Sequence, residues 1–204
     1  MLYFDKDYPK EKLINIAVDM LKKGGVICYP TDTVYGIGCD IHSHQAIEKI
    51  YTLKNFKKNK PLTFICSDIG QVAKYAMLSN NAYKIMKELL PGPYTFILNS
   101  TKLTPRILMH PKKTVGIRVP DNDICLELVE KLGNPIINTS AGVAEDHILS
   151  DPGYINERFG HGLDAVIDTG LLYAAYSSII DLTEEIPRII REGKGDLSWI
   201  KDMI

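Results

Sequence analysis

The sequence lacks the features that mark disulfide-stabilised, zinc-binding, membrane-spanning and strongly charged proteins. Its four cysteines form no C-x-x-C pair, and Cys28 and Cys66 lie in apolar runs that predict a place in the core. No apolar run approaches the length of a membrane-spanning helix, and the N-terminus carries no cleavage signal. The formal net charge is −1, so bulk charge predicts no affinity for membranes or nucleic acids. We expect a soluble cytoplasmic protein without a membrane partner.

Two common catalytic arrangements are also missing. The sequence has neither a Ser-His-Asp pattern nor a pair of carboxylates placed for acid–base work. The five histidines are scattered, and the closest two, His42 and His44, are more typical of a surface loop than of a metal site. We therefore predict no metal ion held by protein side chains.

The chain of 204 residues suits one domain with a substantial core. No repeat, low-complexity tract or linker divides it, so we expect residues 1–204 to form a single unit. Its most distinctive stretch runs from Gly24 to Gly38. The apolar run 26–29 predicts a buried strand that ends at Pro30, and Gly36 and Gly38 are expected to let the backbone turn or approach a ligand.

Hydrophobic periodicity predicts alternating helices and strands. Helices are expected at 10–23, 45–53, 68–76, 80–90, 122–132 and 154–159. Strands are expected at 26–29, 61–66, 94–98, 114–119, 135–137, 165–168, 178–182 and 188–190. Ser67 is the expected cap of the third helix, and Ser79 or Asn80 that of the fourth. Since strands cluster late, the predicted fold class is α/β or α+β, with a twisted mixed parallel and antiparallel sheet flanked by helices.

Polar residues follow or end many of these strands, and four lysines fall within 54–60. Ligands of twisted sheets commonly bind in a crevice at strand ends, which predicts a binding site there. The lysine run is consistent either with the solvent-exposed C-terminal end of a helix or with a flexible segment that binds phosphates, and we favour phosphate binding.

The stretch 24–40 opens a series of motifs that continues almost to the C-terminus. After Lys54 come Lys-Pro-Leu at 60–62, Leu-Pro-Gly-Pro-Tyr-Thr-Phe at 90–96, Thr-Val-Gly-Ile-Arg-Val-Pro at 114–120, Asn-Thr-Ser-Ala at 138–141, Ser-Ser-Ile-Ile-Asp-Leu at 177–182 and Arg-Glu-Gly at 191–193. In this order the motifs resemble the YrdC-like family, the threonylcarbamoyl-AMP synthases, and most closely its YciO-type branch.

The resemblance implies a YrdC-like fold with a large basic concave site. Members of the family make threonylcarbamoyl-AMP and pyrophosphate from L-threonine, bicarbonate and ATP, and the product serves to modify an adenosine of tRNA. The implied cofactor is Mg²⁺ with ATP. Downstream tRNA-modifying proteins are implied partners, and tRNA or double-stranded RNA is a further one.

Site residues follow from the same resemblance. Thr33, Arg118 and Ser177 match positions that bind threonine. The positions that match nucleotide contacts are Thr31, Lys54, Lys60, Thr114, Ser140 and Arg191. The catalytic residues stay unknown; the reaction depends mainly on positioning and electrostatics, for which Lys54 and Arg118 are the implied groups.

The chain departs from the family pattern at several of its motif positions. Phe56 stands where the family has an arginine, Lys60 where it has an asparagine and Ile65 where it has a histidine. The family's Ser-Ala-Asn-x-Ser-Gly is Ser-Ala-Gly-Val-Ala-Glu at 140–145. These changes fall at motif positions that, by the resemblance, select threonine and orient the nucleotide. Lys57, Lys58 and Lys60 would restore positive charge, although a lysine lacks the fork of a guanidinium.

A second interpretation remains open. The lysines of 54–60 and the altered motifs are also consistent with a non-catalytic protein that binds double-stranded RNA, tRNA or a nucleotide in the same basic concavity. Phosphate contacts would make such binding fall steeply with salt.

Overall fold

A computed structural model of the protein describes residues 2–4, 10–57, 60–108, 112–142, 149–172 and 175–201. The strands are β1 (Leu2–Phe4), β2 (Ile27–Tyr29), β3 (Gly36–Asp40), β4 (Thr63–Ile65), β5 (Ala76–Met77), β6 (Tyr94–Ser100), β7 (Thr114–Arg118), β8 (Ile136–Ser140), β9 (Ala165–Ile167), β10 (Ser178–Asp181) and β11 (Arg188–Arg191). The α-helices are α1 (Lys10–Lys22), α2 (His44–Leu53), α3 (Ile69–Tyr75), α4 (Asn80–Leu89), α5 (Asp123–Leu132), α6 (Pro152–Phe159) and α7 (Ser198–Lys201).

All of these strands join one mixed sheet, as the sequence predicts. Their order is β1-β9-β2-β3-β8-β4-β7-β6-β10-β11, and β5 pairs with β6 on the side. The pairs β4–β7 and β6–β10 are parallel, whereas β3–β8 and β6–β7 are antiparallel. The site described below lies on the central strands of this order.

The two faces of the sheet are covered differently. Helices α2, α3, α4 and α6 bury one face in the larger apolar cluster, which includes Ile50, Phe64 and Phe96. On the other face, α1 and α5 pack over β2, β9 and the nearest ends of β4 and β8, where Leu21, Leu128 and Tyr29 belong to one apolar cluster. This second layer stops partway across, because α1 and α5, which contact each other, are the helices that cover that face within the described part of the chain.

Local signals account for most helix ends. The Oδ1 of Asp68 accepts the N–H of Gln71 at the start of α3, so Asp68 is the cap there and the prediction of Ser67 was wrong. Ser79 caps α4 as predicted. Gly24 has a φ of 81° just after α1, which ends the helix in the left-handed conformation that glycine favours.

The glycines of the opening motif lie in a strand rather than in a turn. Gly36 and Gly38 belong to β3, which pairs with β2 and β8. A Cβ on Gly36 would lie 2.2 Å from the Oδ1 of Asn138, and one on Gly38 would lie 2.6 Å from Ile136. The prediction of a turn was therefore wrong, because these glycines make room for packing within the sheet.

All four cysteines are buried and unpaired, including the two expected in the core. Burial raises the pKa of each thiol. Within the described ranges, no helix has both the length and the apolar character required to cross a bilayer.

Candidate functional site

The half of the sheet face that α1 and α5 leave open forms a cavity of about 1010 Å³. Its floor follows the pleat, since every second residue of a strand points to the same face. One row of paired residues crosses this floor in the order Asn138, Thr63, Gly116, Ile97 and Asp181. The site therefore lies across the face of the sheet. The expected crevice at strand ends was wrong, because Thr114 and Arg118 line the cavity from opposite ends of β7.

Arg118 is the most deeply buried cation of the cavity. Its Nη2 lies 2.6 Å from the Oδ1 of Asp32, and both side chains are 6% exposed. The same nitrogen donates to the Oγ1 of Thr33 at 3.0 Å. The Nε of Arg118 is buried and has no hydrogen-bond partner. The spare donor suits a carboxylate ligand, because hydrogen bonds between two charged groups are about twice as strong as those between neutral ones.

Thr31 lies behind this pair and does not line the cavity. Its hydroxyl donates to the carbonyl of Val34 at 2.6 Å and accepts from the backbone N–H of Thr33. Because the Thr31 proton is used there, the hydroxyl of Thr33 donates to Thr31, 3.1 Å away, and accepts from Arg118. Thr31 is therefore better placed to hold the 31–34 turn than to contact a nucleotide directly.

Lys54 lies on the opposite wall of the cavity. Its Nζ donates to the carbonyls of Ser140, at 3.0 Å, and Gly142. The ammonium is also 4.6 Å from the ring centre of Phe159 and 5.7 Å from that of Phe56. Burial, with a smaller contribution from the charge of Lys60, lowers the pKa of Lys54 to about 8. Two of its three donors are used, which leaves one for a ligand.

Phe56 takes the place of the expected arginine and lies between two lysines. The Nζ of Lys60 is 4.6 Å from the ring centre, within the range of a cation–π contact. Both Phe56 and Lys60 line the cavity, and the Tyr51 hydroxyl fixes the Lys60 backbone by donating to its carbonyl at 2.7 Å. Lys58 and residues 143–145 lie outside the described residues.

Ser177 and Arg191 form a third wall. The Nε and Nη2 of Arg191 donate to the carbonyl of Ser177 at 3.2 and 2.8 Å, and the guanidinium stacks 4.9 Å from the ring centre of Tyr176. The hydroxyl of Ser177 lies 2.8 Å from that of Thr95. This wall thus presents a fixed hydroxyl beside a cation, as an anionic ligand requires.

The segment after β11 ties this wall to the Thr31–Thr33 turn. The backbone N–H of Lys194 donates to the carbonyl of Tyr176, and its Nζ donates to the carbonyl of Asp32 at 2.6 Å. Gly193 and Gly195 fit tightly there, since an added Cβ would lie 2.4 Å from the Tyr176 oxygen or 2.3 Å from the Tyr94 ring. Lys194 therefore joins two walls of the cavity that lie far apart in the sequence.

Apart from Thr31, the structure brings all the predicted site residues to this one cavity: Thr33, Lys54, Lys60, Thr114, Arg118, Ser140, Ser177 and Arg191. Of the described residues that line it, six carry cationic side chains and two, Asp181 and Glu184, carry acidic ones, so the concave site is basic as predicted. Asp181 accepts from Thr183 and Arg188, which lowers its pKa against the opposing effect of burial. Among the described residues, no three His, Cys, Asp or Glu side chains are grouped to hold a metal ion.

Sequence reasoning missed two residues of the site. Asp32 holds Arg118, and its Oδ2 also accepts the backbone N–H of Asp121 at 3.2 Å. Asn138 accepts the hydroxyl proton of buried Tyr29 at 2.7 Å, which directs its amide group towards the cavity that it lines. The available signals were the position of Asp32 between two threonines and that of Asn138 at the start of the motif 138–141. Ile65, at the position of the expected histidine, is wholly buried under α5 and does not reach the cavity.

The sequence and the fold are similar to those of known proteins. Residues 19–193 match the model of the Sua5/YciO/YrdC family, described as "Telomere recombination". The crystal structure of Escherichia coli YciO is 39% identical, with a TM-score of 0.89 over 97% of each chain. The structure of Pyrococcus abyssi Sua5 complexed with L-threonine is 28% identical, with a TM-score of 0.90 over all of this chain and 60% of that one.

The sequence is also similar to that of a named enzyme. The threonylcarbamoyl-AMP synthase of Psychromonas ingrahamii is 34% identical over 164 residues, which cover 78% of this chain and 86% of the relative. The family model covers most of the chain, and the fold resembles both YciO and Sua5 closely. The chain belongs to the Sua5/YciO/YrdC family.

Proposed function

We propose that the protein makes L-threonylcarbamoyl-AMP and pyrophosphate from L-threonine, bicarbonate and ATP, in the cytoplasm and for later transfer to tRNA by other proteins. The observation that carries this proposal is the guanidinium of Arg118, which has a buried Nε without a partner beside the hydroxyl of Thr33. The carboxylate of an α-amino acid would satisfy that donor. The related Sua5 structure is a complex with L-threonine, which supports the same choice of amino acid here.

The amino group of the substrate has a matching acceptor. The hydroxyl of Thr33 already donates to Thr31 and accepts one bond from Arg118, so a second lone pair remains for a substrate N–H. Ser177 adds a hydroxyl from the third wall of the same cavity. Together these groups would fix the amino acid at three points, which orients its nitrogen for carbamate formation.

The phosphates of ATP would bind to cations on other walls of the cavity. Lys54 and Lys60 lie around Phe56, and Arg191 lies on the facing wall. In the proposed reaction, a carbamate oxygen attacks the α-phosphorus of ATP and pyrophosphate leaves. Fixed cations would stabilise the negative charge that builds up on the leaving group. We propose that Mg²⁺ arrives with ATP, held by its phosphates, as is usual for this ion.

The test is product formation by the purified protein with ATP, Mg²⁺, bicarbonate and L-threonine. Pyrophosphate release and a threonylcarbamoyl-AMP mass that both depend on threonine would support the proposal. Arg118→Met should abolish the product while leaving ATP binding measurable. Threonine-independent pyrophosphate release, or full activity of Arg118→Met, would contradict it.

One observation favours a second candidate, a protein that binds tRNA or double-stranded RNA without catalysis. Phe56 replaces the expected guanidinium with an aromatic ring between two lysines, and aromatic rings combined with cations are typical of nucleic-acid binding surfaces. Its affinity for tRNA should fall steeply between low and physiological salt. An affinity that is absent at low salt, or that does not respond to salt, would exclude this candidate.

A further inference from the structure

Three glycines lie in strands on the face of the sheet that carries the cavity. Gly36 and Gly38 are required by packing, because a Cβ at either would come within 2.6 Å of a neighbouring atom. Gly116, in the middle of β7, is the third. A glycine inside a strand weakens it, since it loses more backbone freedom on folding and packs no side chain. Its presence in a central strand therefore calls for a reason.

Neither backbone conformation nor packing provides that reason for Gly116. Positive φ angles occur in the described glycines at 24, 133 and 170, and Gly116 is not among them. A Cβ at this position would lie 3.6 Å from the Cγ2 of Thr95 and 3.8 Å from the Oγ1 of Thr63. Both distances are ordinary van der Waals contacts. An alanine would therefore fit the folded protein without displacing a neighbour.

A Cβ at Gly116 would fill part of the cavity floor. Gly116 lines the cavity, and its register partners on that floor are Thr63 and Ile97. Two residues further along β7, on the same face, is Arg118. Two strand residues span about 6.6 Å. Of the three guanidinium nitrogens, the unpartnered Nε is nearest to the strand, so a carboxylate bound there would place the rest of its molecule close to Gly116.

We infer that Gly116 determines which amino acid the cavity accepts, by leaving the floor clear where the substrate's side chain lies against β7. This inference rests on the proposed function, because it assumes that Arg118 binds the carboxylate of an amino acid. The apolar atoms around the gap, from Ile97 and the methyl group of Thr95, suit a short side chain that carries a methyl group. Threonine fits that description.

Gly116→Ala and Gly116→Val test the inference by graded filling of the floor. Calorimetric titration measures the affinity of each protein for L-threonine, L-serine and ATP with Mg²⁺, and thermal unfolding checks the fold. Gly116→Ala should change the ratio of threonine to serine affinity by about tenfold in favour of serine, the value of one methyl group in a shaped pocket. Gly116→Val should lose both amino acids. ATP affinity and thermal stability should not fall in either variant.

The outcomes separate this inference from the proposed function. A wild-type protein that binds ATP but neither amino acid would overturn the proposed function and the inference with it. If wild type binds threonine and Gly116→Val binds it equally well, the inference alone is wrong. It is also wrong if both variants lose ATP together with threonine, because the nucleotide would then occupy this part of the floor. If Gly116→Val fails to fold, the threonine-to-serine ratio of Gly116→Ala decides.

Discussion

One face of the sheet has a covered half and an open half, and the same strands run through both. Under α1 and α5, the inward residues are apolar, as Ile65 on β4 and Ile136 on β8 illustrate. Two residues along the same strands, Thr63 and Asn138 line the open cavity. Side-chain chemistry therefore changes within a strand at the edge of the helical layer, while the hydrogen-bonded ladder continues unchanged.

The boundary between the halves is held by hydrogen bonds. Tyr29 belongs to the covered layer and is fully buried, yet its hydroxyl donates to the Oδ1 of Asn138 in the cavity floor. Arg118 lies at the same boundary, where the buried Asp32 carboxylate balances its charge. The covered half thus supplies packed apolar contacts, while the open half supplies the polar side chains that line the cavity. Variants on each side should thus have separable effects.

The largest effect is expected at the boundary. Arg118→Met should abolish threonine binding and leave the buried carboxylate of Asp32 without its partner, which costs about 3–5 kcal/mol of unfolding free energy. The double variant Asp32→Asn/Arg118→Met should recover most of that stability without recovering binding. Denaturant unfolding and calorimetry measure the two properties. Recovery of threonine binding in the double variant would show that Arg118 does not bind the carboxylate.

The covered half should affect stability alone. Leu128→Ala removes a fully buried side chain of α5 from the layer over Tyr29 and should cost about 2–5 kcal/mol. Because Leu128 does not line the cavity, the threonine affinity of the folded fraction should stay within about twofold of wild type. Denaturant curves and calorimetry well below the midpoint provide both values. A tenfold loss of affinity at full folding would mean that the two halves are coupled.

A smaller effect, confined to the open half, is expected from pH. Lys54 has its pKa lowered to about 8, so it is charged at pH 7 and loses its proton as the pH rises through 8. Its attraction for phosphates should weaken in that direction, by about tenfold between pH 7 and 9 if the charge is essential. Lys54→Arg keeps its charge and should bind a non-hydrolysable ATP analogue without this extra fall. Equal pH profiles for the two proteins would contradict the role of Lys54.

The smallest effect is expected from the link between the walls. Lys194→Met removes the hydrogen bond to the carbonyl of Asp32 and should lower threonine affinity by about two- to fivefold, the value of one exposed hydrogen bond. Lys131→Met is the matched control, since its exposed Nζ bonds Asn15 across the covering helices. Calorimetry should separate the two variants. Equal affinities would mean that Lys194 does not hold the turn in place.

The sequence predicted the elements whose signals are local. Apolar periodicity located α1, α2, α4 and α5, an apolar run located β2, and the alternation of 114–119 located β7. The strand β3 was missed because Gly-Ile-Gly is typical of a turn, and the glycines there are explained by neighbours in the fold, Asn138 beside Gly36 and Ile136 beside Gly38. The short strands β1 and β5 were missed because each exists through pairing with a distant partner, β9 or β6.

For the site, motif resemblance located residues on the cavity but could not give their contacts. Arg118 and Asp32 are 86 positions apart in the sequence, and Tyr29 and Asn138 are 109 apart, so no local pattern connects either pair. Thr31 belongs to the motif, yet the structure uses its hydroxyl to fix the turn. The role inferred for Gly116 depends on the open space beside its Cα, which no sequence pattern encodes.

The burial of all four cysteines has a practical consequence for chemical labelling. In the folded protein these thiols are shielded from solvent, and burial disfavours the thiolate form that reacts with alkylating reagents. Ile190, on the rim of the cavity, is 55% exposed. An Ile190→Cys variant would therefore offer one accessible thiol against an unreactive background. A fluorophore attached there would report ligand entry directly, without removal of any native cysteine.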